Sequence, residues 1–433
     1  MQIAKRAMIG WCLYDWANSA YWSIIGTFIF AVYFTKGIYG DATEGAKVWA
    51  YAMSVSGLIV ALGSPILGAI ADYAGGLKRW LAVLTGVTAV GACLLWFAEP
   101  DPAYVVYALI VVVIASASLD LGQVFYNALL TPNAPPHMLG RVSGWGWGIG
   151  YVGGLCALAM TLFVFVGLGD SVQPLVALDR ESAQHLRIVG PLTGVWLIIF
   201  SLPLFLFARD RHATGVTLTA AVPKGLKTLM ATLRDLRHQG QIVRFLIASA
   251  IYRDGLSTLF AVGGLYAAGV HGMDTGQILI FAIGLNITAG LGAAVFAWMD
   301  DGMGSRLTVL VSLAGLILFS LPVIMVDDFK LFIGLALGLG IFIGPAQAAS
   351  RSLMARLAAD GKETEFFGLY SLTGKAVAVF GPALYGIVTE IFDSQRAGLS
   401  VVVFMFVIGG AVLLTVREAP RVTPIRDAPS PGA

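Results

Sequence analysis

The chain has 433 residues, of which 58% are hydrophobic and 12% charged, and its mean hydropathy is +0.82; an ordinary soluble domain carries roughly 25% charged residues. That composition excludes a soluble globular protein. With 27 basic against 25 acidic side chains, a net charge of +2, there is no electrostatic case for nucleic acid or for an acidic partner.

Apolar runs long enough to cross ~30 Å of hydrocarbon recur near 9–35, 47–71, 79–98, 103–129, 142–168, 189–208, 243–269, 275–299, 306–326, 329–350, 366–391 and 397–416. They are long and rich in Leu, Ile, Val, Ala and Gly, which predicts twelve membrane helices, whereas a β-barrel needs alternating segments of about ten residues. Lys5 and Arg6 precede the first run as in a signal peptide. That run holds Asp15 and Asn18 and lacks a small-residue cleavage site, so it reads as a retained first helix. Cys12, Cys93 and Cys156 lie inside apolar runs without CxxC spacing, and the five histidines fall between runs. No disulfide framework, metal site or cofactor is expected.

Lys and Arg set the orientation. With the N-terminus inside, only Lys36, Lys47, Arg180, Arg187, Lys330 and Arg396 fall in outer segments, against nineteen basic residues in inner ones. Both termini are therefore expected in the cytoplasm. The longest inner connection divides the chain into a first six-helix half (1–208), a linker (209–242), a second half (243–416) and a tail (417–433). In the linker, Leu226, Leu229, Met230, Leu233 and Leu236 alternate with Lys227, Arg234 and Arg237; this is either an amphipathic helix on the anionic inner leaflet or a solvated connector.

The two halves repeat each other. Gly140-Arg141-Val142-Ser143 followed by Gly146, Trp147 and Gly153 matches Gly368-Leu369-Tyr370-Ser371 followed by Gly374, Lys375 and Gly381 at equal offsets, and Gln123 in the fourth run answers Gln347 in the tenth. After the second run, Gly68, Asp72, Gly75, Gly76, Lys78 and Arg79 resemble the signature of the major facilitator superfamily between its second and third helices. A weaker echo lies at Asp300, Asp301, Gly304 and Arg306. Gly68, Asp72, Gly76, Lys78, Arg79 and Arg351 are the expected conformational latch, because an Asp at a helix end pairs with the bases and dipoles of a neighbouring helix in one conformation only. Four blocks, Tyr14 to Ser19, Arg141 to Gly154, Gln347 to Ser352 and Glu365 to Tyr370, resemble the vacuole-effluxer-like branch of that superfamily. The resemblance implies an all-α integral membrane protein of twelve helices in two pseudo-symmetric halves, and a transporter with amino acids suggested as its cargo. In that branch a polar uncharged residue is expected where Arg253 stands here.

Asp15, Asp120, Arg253, Asp254 and Lys375 lie within predicted spans, where each costs about 2.5–3.5 kcal/mol at a helix centre. Such residues face a wet cavity, pair, or carry the function. Either the acids neutralise Arg253 and Lys375 in a closed network that holds the halves together, or the group forms a site. The expected cavity comprises Tyr14, Asp15, Asn18, Asp120, Gln123, Asn127, Tyr252, Arg253, Asp254, Asn286, Gln347 and Lys375. Asp254, next to a fixed cation, is expected to stay ionised, leaving Asp120 and Asp15 as proton carriers, with Asp120 preferred because no base is near it in sequence. Arg253 and Lys375 suit a substrate carboxylate.

The sequence thus predicts a monomeric secondary transporter in the lipid bilayer of the bacterial inner membrane. It moves a small solute, amino acids or related carboxylates, by alternating access with proton coupling, export being slightly favoured by the resemblance. No nucleotide-binding motif, nucleophile pair or metal cluster supports an enzyme. The competing expectations are a lipid flippase, hydrophobic-drug efflux, or a substrate-sensing receptor on the same scaffold.

Overall fold

In the computed structural model, which describes residues 2–167, 173–210 and 214–418, twelve helices are long and apolar enough to span a membrane. They run Lys5–Ile38, Ala42–Ala74, Leu77–Phe97, Pro102–Ala128, Pro136–Val166, Gln184–Phe207, Gly240–His271, Gly276–Met303, Ser305–Met325, Phe329–Leu357, Glu363–Phe392 and Gln395–Leu414. They are called the first to twelfth spans below. Each predicted run overlaps one of them. The second and twelfth helices start before their apolar runs, where a cap sets the end: Asp41 accepts from Thr43 N and Glu44 N at the second, and Ser394 caps the twelfth. At the eighth, Asp274 and Gln277 form a reciprocal capping box, and Asp328 caps the tenth, both where the run itself begins. At 1.5 Å per residue, the 33-residue second span is about 50 Å long and projects beyond the hydrocarbon layer.

The eleventh span is not one continuous helix. It runs as Glu363–Val377 and then Phe380–Phe392, and Pro382 lies just past the break. Hydropathy cannot register this interruption, because the apolar run continues through it. In the connection between the second and third spans, Gly75 and Gly76 have φ of 72° and 68°, which an L side chain adopts only with strain.

Close glycine contacts fix how the spans pack, and the repeated glycines do equivalent jobs. A Cβ at Gly146 would lie 2.6 Å from Asp15 Oδ2, and one at Gly153 would lie 2.8 Å from the backbone of Trp16, both on the first span. Their counterparts Gly374 and Gly381 meet Arg253 and the Asp254–Thr258 stretch of the seventh span in the same way. The repeat therefore preserves the seam between the fifth and first spans, and between the eleventh and seventh.

Across the molecule, Gly68 and Gly368 let the second and eleventh spans touch backbone to backbone, at Thr364 and Ser64 respectively. Gly144 does the same for the fifth span against Ala293 of the eighth. These contacts lie toward the end of the bundle that carries the linker.

The linker holds a helix, Leu218–Asp235. Ala221 and Leu229 are buried and Gly225 packs against Ile70 of the second span, while Lys362 Nζ donates to Thr232 Oγ1 at 3.1 Å. The apolar residues of the helical stripe therefore divide: Leu229 faces protein, and Leu226, Met230 and Leu233 are exposed. His212, Arg211 and the tail beyond residue 418 lie outside the described residues.

Candidate functional site

A chamber of about 400 Å³ lies between the spans, lined by Asp15, Asn18, Ser19, Trp22 and Ser23 of the first, Asp120, Gln123 and Asn127 of the fourth, Trp147 and Tyr151 of the fifth, Arg253 of the seventh, Asn286 of the eighth, Gln347 and Arg351 of the tenth, and Phe367, Tyr370, Ser371 and Lys375 of the eleventh. The spacing on the first span is three, four, seven and eight residues after Asp15, and on the fourth three and seven after Asp120. Each set is one face of an α-helix. Ser19, Trp22, Ser23, Phe367, Tyr370 and Ser371 were missed by the sequence reading, although this periodicity, extended outward from Asp15, picks out the first three.

Two ion pairs cross the chamber. Arg351 Nη1 donates to Asp15 Oδ2 at 2.9 Å, and the same guanidinium donates to Ser143 Oγ and Ser143 O at 2.9 and 2.7 Å. Its planar head is enclosed by the rings of Trp11, Tyr126 and Trp147. Arg351 was expected at the cytoplasmic latch, outside the tenth run; the tenth span extends to Leu357, so it is a third intramembrane base and forms part of the chamber wall. The second pair is Lys375 Nζ to Asp120 Oδ2 at 2.5 Å. Asp120 has no base near it in sequence, yet in space it is paired. Its base lies 255 residues away in sequence and is brought close where the eleventh span packs against the fourth.

Three expected cavity residues do not line the chamber. Tyr14 is buried against the third span, its hydroxyl 2.8 Å from Thr85 Oγ1. Tyr252 is buried with its hydroxyl 2.6 Å from Ser350 Oγ. Asp254 does not pair with Arg253, as adjacency suggested, because consecutive helical residues point about 100° apart. Its Oδ2 accepts from Gly381 N at 2.9 Å, the amide left without a helical partner just past the break in the eleventh span. All three lie outside the chamber lining, and Asp254 Oδ1 is buried without a hydrogen-bond partner among the described residues.

Arg253 is different in kind. Its guanidinium stacks on the Tyr370 ring with Cζ 4.0 Å from the centroid and donates to Tyr370 O at 3.2 Å, yet among the described residues it forms no ion pair. The chamber thus holds three cations, Arg253, Arg351 and Lys375, against two carboxylates, Asp15 and Asp120. Asn18 Nδ2, Gln123 Oε1 and Trp147 Nε1 are buried there without a hydrogen-bond partner among the described residues. Because a buried unsatisfied polar atom costs about 1–3 kcal/mol, these atoms are capacity for a bound polar group.

At the linker end, Asp72 accepts from Thr364 N and Glu365 N at 3.2 and 2.7 Å, capping the eleventh span. Asp301 accepts from Gly140 N and Arg141 N at 2.8 and 3.0 Å, capping the fifth, and also binds Arg141 Nε. Asp72 of the motif and Asp301 of its echo thereby each hold the N-terminus of a helix in the opposite half of the chain, whereas Asp300 accepts from Ser305 Oγ at 2.6 Å within its own half. Lys78 instead donates to Ala208 O, joining the third span to the sixth. Removing the Asp72 charge by Asp72→Asn should loosen this closure by about 1–2 kcal/mol, the range for a charge at a partly buried helix end. A cysteine placed at Ser64, whose Oγ is 3.2 Å from Ser371 Oγ in the seam, is then expected to react several times faster with a water-soluble maleimide. An unchanged rate would remove Asp72 from the latch.

A twelve-span helical bundle closed at one end over a charged chamber defines a membrane transporter of the major facilitator type. The family described as vacuole effluxer Atg22-like matches residues 132–420 and the Major Facilitator Superfamily matches residues 2–158, and the chain belongs to the vacuole effluxer Atg22-like family. The uncharacterized MFS-type transporter YxiO of Bacillus subtilis is 24% identical over 411 residues, 94% of each chain. Autophagy-related protein 22 of Yarrowia lipolytica is 24% identical over 58% of this chain, which spans 46% of that protein; the chain thus covers under half the length of the fungal relatives it matches. Among solved structures, the proton:xylose symporter XylE superposes with a TM-score of 0.71 at 11% identity, covering 96% of this chain and 95% of that one. A bacterial homologue of the iron transporter ferroportin in an outward-facing state gives 0.70 at 14%, covering 96% and 99%. These structural likenesses establish the fold alone.

Proposed function

We propose that the protein is a proton-coupled secondary transporter of amino acids or related carboxylates, working by alternating access between two six-helix halves (1–208 and 243–416) joined by the linker. The observation that carries the reading is Arg253, a chamber guanidinium that forms no ion pair among the described residues in a site with one cation in excess. A guanidinium presents a fork that matches a carboxylate through two parallel hydrogen bonds, and a substrate carboxylate neutralises the excess. Gln123 Oε1 and Asp120 offer acceptors to an amino group on the same solute. Asp15 is held by an arginine in a dry cage, so Asp120, paired with a lysine in the wetter part of the chamber, is the proton carrier: protonation releases Lys375, and deprotonation re-forms the bridge between the fourth and eleventh spans. The excess of Lys and Arg in segments at the linker end supports a cytoplasmic linker and cytoplasmic termini, which makes the conformation outward-facing and places a monomer in the bacterial inner membrane. Export is favoured by the family's description as effluxers.

The test is a thermal-shift screen of the purified protein against amino acids, peptides and organic acids at about pH 5.5 and 7.5, since a ligand that binds only the native state raises apparent stability. An amino acid or carboxylate is expected to stabilise the wild type, and Arg253→Gln is expected to weaken it at least about tenfold, the loss of a charge-assisted hydrogen bond of about 1.5–3 kcal/mol. Stabilisation that survives Arg253→Gln unchanged would sink the assignment.

A further inference from the structure

A second chamber, of about 580 Å³, adjoins the first. The two share Trp22, Ser23 and Asn286 as wall, so they meet at those residues. The second extends away from the linker end, between the outer turns of the first, seventh, eighth and tenth spans, and its character is the opposite of the first. Among the described residues no charged side chain lines it. Its surface is built from Leu259, Phe260, Phe281, Leu285, Phe332 and Ile343 among others. At the junction, Asn286 Nδ2 donates to Ala282 O of its own helix at 2.8 Å.

Apolar side chains turned into a cavity lose the contact with lipid tails that they would have on the outer face of the bundle, and when the cavity is wet they cost about 25 cal/mol per Å² of exposed apolar surface. A chamber of this size, within the ~300–1,000 Å³ of sites that hold drug-sized ligands, also exceeds the charged chamber beside it. A compact solute held by Arg253 leaves it empty.

We propose that the transported solute is an amphiphile, its carboxylate-bearing head in the charged chamber and an extended apolar group in the second one. The proposal rests on the reading of Arg253 as a carboxylate site and adds the chemical class of the remainder of the molecule. Trp22 and Ser23 lie at the neck, in the stretch Trp22–Phe28 where the first span widens into π-type turns, so the head and the apolar group separate there.

The probes are straight-chain 2-amino acids of increasing length, alanine, 2-aminohexanoate and 2-aminodecanoate, titrated against the full-length purified protein with apparent Kd read from ligand-dependent stabilisation. Each methylene transferred from water to the apolar chamber contributes up to about a fourfold gain, so 2-aminodecanoate is expected to bind at least about tenfold tighter than alanine. Gly263 lines the second chamber, and a Cβ there would meet nothing within 4 Å, so Gly263→Phe is the variant chosen to occupy the space. In that variant the advantage of 2-aminodecanoate over alanine is expected to vanish. Ala282→Phe, from the eighth span, fills the same chamber from another wall and serves if Gly263→Phe does not fold.

An affinity that does not rise with chain length, or a rise that persists in both filled variants, overturns the amphiphile proposal and leaves the carboxylate reading standing. Failure of all three probes to bind the wild type overturns the carboxylate reading and the amphiphile proposal with it.

Discussion

Arg351→Gln is expected to be the most damaging single substitution in the chamber. The guanidinium makes three hydrogen bonds to Asp15 and Ser143 within a cage of Trp11, Tyr126 and Trp147, and the Asp15 side chain is only 8% exposed. Removing the arginine leaves that carboxylate buried without its counter-charge, for which the expected loss of stability is about 3–5 kcal/mol. It also unties the tenth span from the first and fifth, so transport fails even where protein folds. A cycle of Asp15→Asn, Arg351→Gln and the double variant, monitored by thermal unfolding in detergent, isolates the pair: the double variant should recover about 2–3 kcal/mol of the single variant's loss. Additive losses would show that Arg351 acts through its aromatic cage and Ser143, and that Asp15 contributes nothing to its hold.

The second large effect is expected at Asp120. Its bridge to Lys375 is more accessible than the Asp15 pair, the lysine side chain being 36% exposed, so the two groups separate and re-pair at less desolvation cost. Asp120→Asn cannot carry a proton and leaves Lys375 permanently released. In proteoliposomes with an imposed pH gradient, accumulation of the amino acid selected by the thermal-shift screen should fall at least about tenfold, while exchange of labelled for unlabelled solute continues, because exchange needs the binding site and the rocking motion but no net proton movement. Proton-driven accumulation that persists in Asp120→Asn would transfer the coupling to another group. Lys375→Gln is the companion measurement: with its partner lysine gone, Asp120 should still load and release a proton, so coupling survives in part where Asp120→Asn loses it.

Arg253, Lys375, Asp15 and Asp120 were all legible in the sequence, because a charge inside an apolar run is conspicuous against the cost of burying it. Arg351 was legible only in part: its place just past the tenth run put it near the cytoplasmic end of the tenth helix and in the latch, while the helix continues to Leu357 and makes it part of the chamber wall. Asp254 was conspicuous and misleading. Its charge answers a backbone amide exposed by the break in the eleventh span, and nothing in the local pattern of that apolar run marks the break beyond Pro382. The uncharged residues divide in the same way: Asn18, Gln123, Asn127, Asn286 and Gln347 do line the chamber, since an amide on a lipid face is costly, whereas Tyr14 and Tyr252 serve equally well as packing groups with a tethered hydroxyl.

By itself the sequence determined the features that solvation controls: twelve spans and their approximate positions, the basic linker, the duplicated glycine pattern and the charges that hydrocarbon cannot tolerate unaccompanied. These are one-dimensional consequences of transferring side chains from water to lipid, and each is decided residue by residue along the chain. Only the tertiary structure decided partnership. Lys375 finds Asp120 and Arg351 finds Asp15 across 255 and 336 residues. Asp72 and Asp301 each cap a helix that the chain reaches much later or much earlier. The apolar second chamber arises because Phe281, Phe332 and Ile343, indistinguishable in sequence from lipid-facing neighbours, are turned inward by the glycine contacts that set the rotation of their helices. Periodicity gives a helix a face; which face meets which is settled when backbones approach at Gly68, Gly144 and Gly368, and that is a property of the packed bundle.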